Sequence, residues 1–155
     1  MEGIQQILND WSERTKQELI GKYRSMGLKA SGAFENGLTV ETSEMKTAIW
    51  TVPHTGAMVF GRKPSESGSK PGKLLDIIKQ WIINKGITSE LKPESLAYLI
   101  TRKIHREGIR VPNQHNEGTL ISSVINDNSI SGLLSQMGIY IIKDIKTDIQ
   151  KTWQQ

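Results

Sequence analysis

The sequence predicts an α+β fold: a small antiparallel β-sheet packed against a long N-terminal helix, a central αα-hairpin and a C-terminal helix. Three observations predict it. Apolar residues recur every three or four positions near both ends of the chain and through its middle, which is the helical period. Two short runs rich in Thr, Val and Ile stand close together, as the strands of a hairpin do. Between these segments lie stretches of Gly, Pro and Ser that build no packed element. At 155 residues the chain has the size of one compact domain, about 100–150 residues being common. Residues 1–155 are therefore read as a single domain with flexible loops near 61–73 and 109–118.

The first helix is expected over 3–27. Ile4, Leu8, Trp11, Leu19, Tyr23 and Met26 trace one stripe, with Thr15 filling its gap, while Glu13, Lys16 and Glu18 occupy the other face. Gly27 suits the C′ position. SGAFENG, from Ser31 to Gly37, holds one helical turn at most. LTVET (38–42) and KTAIWTV (46–52) form the hairpin, joined through Ser43, Glu44 and Met45. AMVFG (57–61) is read as a candidate third strand.

GRKPSESGSKPGK (61–73) holds three glycines, two prolines and three serines, so it is read as loop. A helix over 73–86 follows, with Leu74, Ile77, Ile78, Trp81 and Ile82 on its apolar side and Gly86 as its stop. The next helix covers 93–107. Pro93 fits its first position, Glu94 favours the first-turn dipole and Gly108 ends it. Residues 109–118 have no period. TLISSVI (119–125) suits either a returning strand or a helical turn. From Ser129 onward Leu133, Leu134, Met137, Ile141, Ile145 and Ile149 mark the closing helix.

Composition narrows the chemistry. With no cysteine, a disulfide framework, a thiolate zinc site, an iron–sulfur cluster and a cysteine nucleophile are excluded. The N-terminal stretch MEGIQQILNDWSERTK lacks the basic and apolar regions of a signal peptide, and no apolar run of about 18 residues is present, so cytosolic synthesis is expected. His54, His105 and His115 have no metal-ligand spacing. His105 reads as a helix-surface residue and the other two as loop residues. GSKPGK is one residue short of a phosphate-binding loop, and Leu74 stands where a hydroxyl is needed. No serine lies in a nucleophile motif. Neither a catalytic residue, a cofactor nor a metal is therefore expected.

Charge is the stronger signal. The chain carries a net charge of +4 and an isoelectric point near 9.3. Between Pro53 and Arg110 there are eleven basic and five acidic residues, a net of +6, which leaves −2 for the rest. Arg62, Lys63, Lys70 and Lys73 on a loop can follow a phosphate backbone and gain affinity by releasing counterions. Lysines and arginines also serve simply to solvate exposed faces, and no aromatic residues alternate with these to stack bases. Of the four tryptophans, Trp11 and Trp81 are expected in the core, and Trp153 is a candidate interface anchor.

The stretch from Val59 to Gly108 carries a resemblance. Gly61-Arg62-Lys63-Pro64, then Pro71-Gly72-Lys73, then Trp81 with Lys85-Gly86-Ile87, then Ala97-Tyr98 through Ile100, Arg102, Lys103, Ile104 and Gly108 stand in the order seen in tail-component and head-to-tail joining proteins of tailed bacteriophages. These include tail-completion and neck proteins, and this chain resembles them over about a third of its length. The family's long N-terminal helix before an SG turn, here Ser31-Gly32, and its C-terminal helix agree in kind. SESGSK lengthens the loop between two of the motif pieces.

The resemblance implies a non-enzymatic structural protein of the virion, made in the host bacterial cytoplasm. It would be one subunit of a homo-oligomeric ring, six- or twelve-fold, at the neck or tail top. Its implied partners are the adjacent portal, connector or tail proteins and the genomic double-stranded DNA in the channel, with no membrane. The alternative is a stand-alone, sequence-independent nucleic-acid-binding protein.

Overall fold

The computed structural model describes residues 2–65 and 72–153. Within them the fold is α+β, with six helices and one two-stranded antiparallel sheet. In order these are α1 (Glu2–Ser25), α2 (Ala33–Gly37), β1 (Thr39–Ser43), β2 (Lys46–Trp50), α3 (Thr55–Phe60), α4 (Gly72–Lys85), α5 (Pro93–Glu107) and α6 (Asp127–Trp153).

The stripe on α1 is the spine of the molecule. Ile4, Leu8, Leu19 and Tyr23 are buried, and so are Ser12 and Thr15. Of these two, Ser12 lies under the hairpin. The Ser12 hydroxyl meets that of Thr47 on β2 at 2.6 Å, so a polar group taken out of water keeps a partner. Strands β1 and β2 pair from Thr39 opposite Trp50 to Ser43 opposite Lys46, and both lie against α1. Beyond Gly27, which adopts φ +66°, the chain folds back so that Phe34 of α2 stacks on Tyr23 with ring centroids 4.5 Å apart. Leu19, Tyr23, Phe34, Leu38 and Leu120 form the main core. Each such side chain contributes about 1.5–3 kcal/mol by leaving water.

Two expectations of the sequence reading change or resolve here. AMVFG is no strand: residues 55–60 form the short helix α3, which turns Met58 and Val59 toward the core and leaves Phe60 82% exposed. A short apolar run has no period long enough to separate the two conformations. TLISSVI is the helical alternative, a pair of turns in which the Ser123 amide donates to the Thr119 carbonyl and the Ile125 amide to that of Ile121. These turns hold Leu120 in the core.

Helices α4 and α5 pack chiefly on each other, with Ile82, Ala97, Thr101 and Ile104 buried and a Lys79–Glu94 ion pair at 2.8 Å. Helix α6 runs antiparallel to α1. The Trp11 indole, half-buried rather than fully enclosed, donates to the Ser129 carbonyl at 3.2 Å. Eight residues earlier on α1, Gly3 lies so close to the Tyr140 ring that a Cβ there would overlap it. Past Tyr140, α6 continues beyond the start of α1, and every residue from Ile141 to Trp153 is exposed.

Candidate functional site

The site is built where the chain leaves α3 and where it leaves α5. Gly61 ends α3 with φ +79°, and Gly108 ends α5 with φ +73°, a left-handed region that glycine enters without steric cost. Each turn releases the chain into an extended residue, and the two residues pair. The Arg62 amide donates to the Ile109 carbonyl at 2.8 Å, and the Ile109 amide donates back to Arg62 at 2.7 Å. One step further on, the Ser65 amide donates to the His105 carbonyl at 2.8 Å, and the Ser65 hydroxyl meets His105 Nδ1, also at 2.8 Å. His105 is thus half-buried, not a plain surface residue, because the returning chain covers it; its Nε2 is enclosed without a partner among the described residues.

This ladder gathers positive charge. Arg62 and Lys63 are exposed on one side of it, and Arg106 and Arg110 are exposed on the other, with Lys103 one turn back on α5. Glu107 is the acid in their midst. Its carboxyl is held below its ordinary value first by the hydrogen bond from Arg106, with the fields of Lys103 and Arg110 adding to it against partial desolvation. Lys73 is exposed in the first turn of α4. Lys70 and Pro71 lie outside the described residues. The sequence reading selected Arg62, Lys63, Lys70 and Lys73 and missed Arg106 and Arg110. The available signal was the recurrence of a glycine followed within two residues by arginine, at Gly61-Arg62 and at Gly108-Ile109-Arg110.

The other motif residues serve the frame. Gly72 opens α4, and Gly86 closes it with φ +63°. Pro64 follows the ladder and is exposed, and Tyr98 is exposed on α5. Trp81 departs from expectation. It is 37% exposed and not core, because α4 packs its opposite side on α5 and presents Ile77 and Trp81 to a cleft. That cleft, about 670 Å³, is bounded by Tyr23 and Leu28 at the end of α1, by Ala57 and Met58 of α3, by Ile77 and Trp81, and by Ile109 and Val111 of the arm. The arm is anchored here: Asn116 donates to the Met58 carbonyl at 2.7 Å and pairs with Asn113. Trp153 is 85% exposed near the end of α6.

Comparison with models of known protein families, with curated proteins and with solved structures finds no match. Among the described residues no three His, Asp or Glu side chains gather as a metal site, and no helix is long and apolar enough to cross a membrane.

Proposed function

We propose that the chain is a structural, non-enzymatic subunit of a tailed-bacteriophage virion, one member of a ring at the neck or tail top that joins head to tail around the DNA channel. The observation that carries this reading is the meeting of the motif pieces. Gly61-Arg62-Lys63-Pro64 and the Arg102–Gly108 end of α5 are far apart in sequence, yet they pair through one ladder. Two of the four segments behind the resemblance thus meet, and their junction displays Arg62, Lys63, Arg106 and Arg110 to solvent.

A channel for DNA needs cations that attract phosphate without reading bases, and side chains on a short rigid ladder suit that role. A ring needs two different surfaces on each subunit so that contacts close by rotation. The Trp81 cleft and the projecting end of α6 are two such surfaces.

Negative-stain electron microscopy and mass photometry of the purified protein, with and without assembled phage heads, test the reading. Closed rings or recruitment to a single head vertex are expected. A persistent monomer that ignores heads but binds DNA with steep salt dependence would overturn it in favour of a stand-alone nucleic-acid-binding protein.

A further inference from the structure

We infer that the exposed end of α6, residues 141–153, docks into the Trp81-lined cleft of a second copy of this chain. The inference rests on the ring reading for closure alone; the contact itself needs only the two surfaces.

The helix end carries Ile141, Ile145, Ile149 and Trp153 in one row, four residues apart, with Ile142 beside it, and all five are exposed. At 1.5 Å per residue it projects about 20 Å. An amphipathic helix that anchors through such a row is the element an apolar groove receives. With Leu134 the exposed apolar surface reaches several hundred Å², on the order of the ~800 Å² that each partner buries in a standard interface, and a contiguous patch of that size on a soluble chain marks a contact site.

The cleft supplies the complement. Its volume of about 670 Å³ is walled mainly by apolar side chains, with Ile77 62% exposed beside Trp81. The two surfaces cannot meet within one copy. Helix α6 passes Gly3 and leaves the molecule at the N-terminal end of α1, whereas Tyr23 and Leu28 put the cleft at the C-terminal end, about 30 Å away along the helix. Each copy therefore offers a projecting ridge at one end and a receiving groove at the other, which is a heterologous contact.

Pairing of α6 with its own counterpart fits less well. A heptad seam through Ile142, Ile145 and Ile149 puts Ser135, Gly138 and Thr152 at its remaining positions, and a coiled coil needs apolar residues there.

The cysteine-free chain permits a direct test. Ile149→Cys and Asn84→Cys, the latter on the cleft wall, are purified separately and mixed under mild oxidation while light scattering follows the mass of the unmodified protein. Concentration-dependent multimers and a disulfide between the two variants are expected. Ile145→Asp with Ile149→Asp should raise the dissociation constant at least about 100-fold with unchanged helical circular dichroism. A protein that stays monomeric up to about 1 mM, or an Ile149→Cys variant that crosslinks to itself in preference to forming the mixed disulfide, would overturn the inference. Monomers that still gather at a head vertex would sink this contact and leave the virion reading standing; multimers that ignore heads would do the reverse.

Discussion

Gly61 and Gly108 are each pressed against the extended residue that follows the other. A Cβ at Gly61 would overlap the carbonyl oxygen of Ile109, and a Cβ at Gly108 would overlap that of Arg62. Both residues also hold positive φ, so two independent penalties apply to any side chain at either position. Alanine at Gly61 or at Gly108 should cost about 2–3 kcal/mol each. Gly86→Ala is the control, since that glycine has positive φ and open space around it and should lose only about 1 kcal/mol. Urea unfolding of the three variants checks the order; equal losses at all three would show that the ladder adds nothing to backbone strain.

Stability should also depend on acid through Glu35. Its carboxyl is held at about 2, below the ordinary 4.5, first by hydrogen bonds from Arg24, which reach it at 2.9 and 2.8 Å. Because the folded value is the lower one, the ionised form stabilises the fold. The contribution is complete above about pH 5, declines once the unfolded chain takes up its proton near 4.5, and is gone below about 2. Glu35→Gln should therefore differ from the parent at pH 7, and in denaturant titrations the difference should shrink from about pH 5 downward and vanish only toward pH 2. A constant difference across that range would contradict the assignment.

Much of this was legible in the sequence, and the reasons are local. The stripe from Ile4 to Tyr23, Pro93 at the first position of α5 and the stop glycines 27, 86 and 108 are signals contained within one or two helical turns, and each element lies within a few residues of its expected bounds. Residues 57–60 were misread because four apolar residues carry no period. Trp81 was misread because an apolar stripe says that a face is sheltered, not whether a helix or an open cleft shelters it. The basic site was half legible. Arg62 and Lys63 stand out beside Gly61, but their junction with Arg106 and Arg110 exists only once two glycine turns far apart in sequence have paired.

Charge reversal of the basic residues in and beyond that junction separates positioning from attraction. Lys63→Glu, Lys70→Glu and Lys73→Glu together should leave the monomer folded, since Lys63 and Lys73 are exposed, while impairing DNA retention or particle assembly. Adding Arg106→Glu and Arg110→Glu should deepen the defect. In DNA binding by the isolated protein, the dependence of affinity on salt should flatten by about one unit of slope for each phosphate no longer neutralised. Normal infectious particles from the triple variant would refute the role given to these cations.

Truncation after Tyr140 should scarcely affect the fold. The removed segment buries no side chain among the described residues, so at a concentration where the full chain is monomeric the melting temperature should move by no more than about 2 °C, while self-association at higher concentration should disappear. A large fall in melting temperature under those conditions would mean that the end of α6 packs on its own chain.

The place of Leu120 also sets a condition on the order of synthesis. It is fully buried among Leu19, Tyr23, Phe34 and Leu38, and Ser129 and Tyr140 complete the cover on α1. A ribosome that has released only the first two thirds of the chain has therefore released a core with one wall missing. Contacts that join the first residues to the last are slow to form because a long loop must close before they reward it. The nascent chain is thus expected to remain unfolded until Leu120 and the first half of α6 have emerged and then to close in one step, α1 waiting for the segment that completes its core.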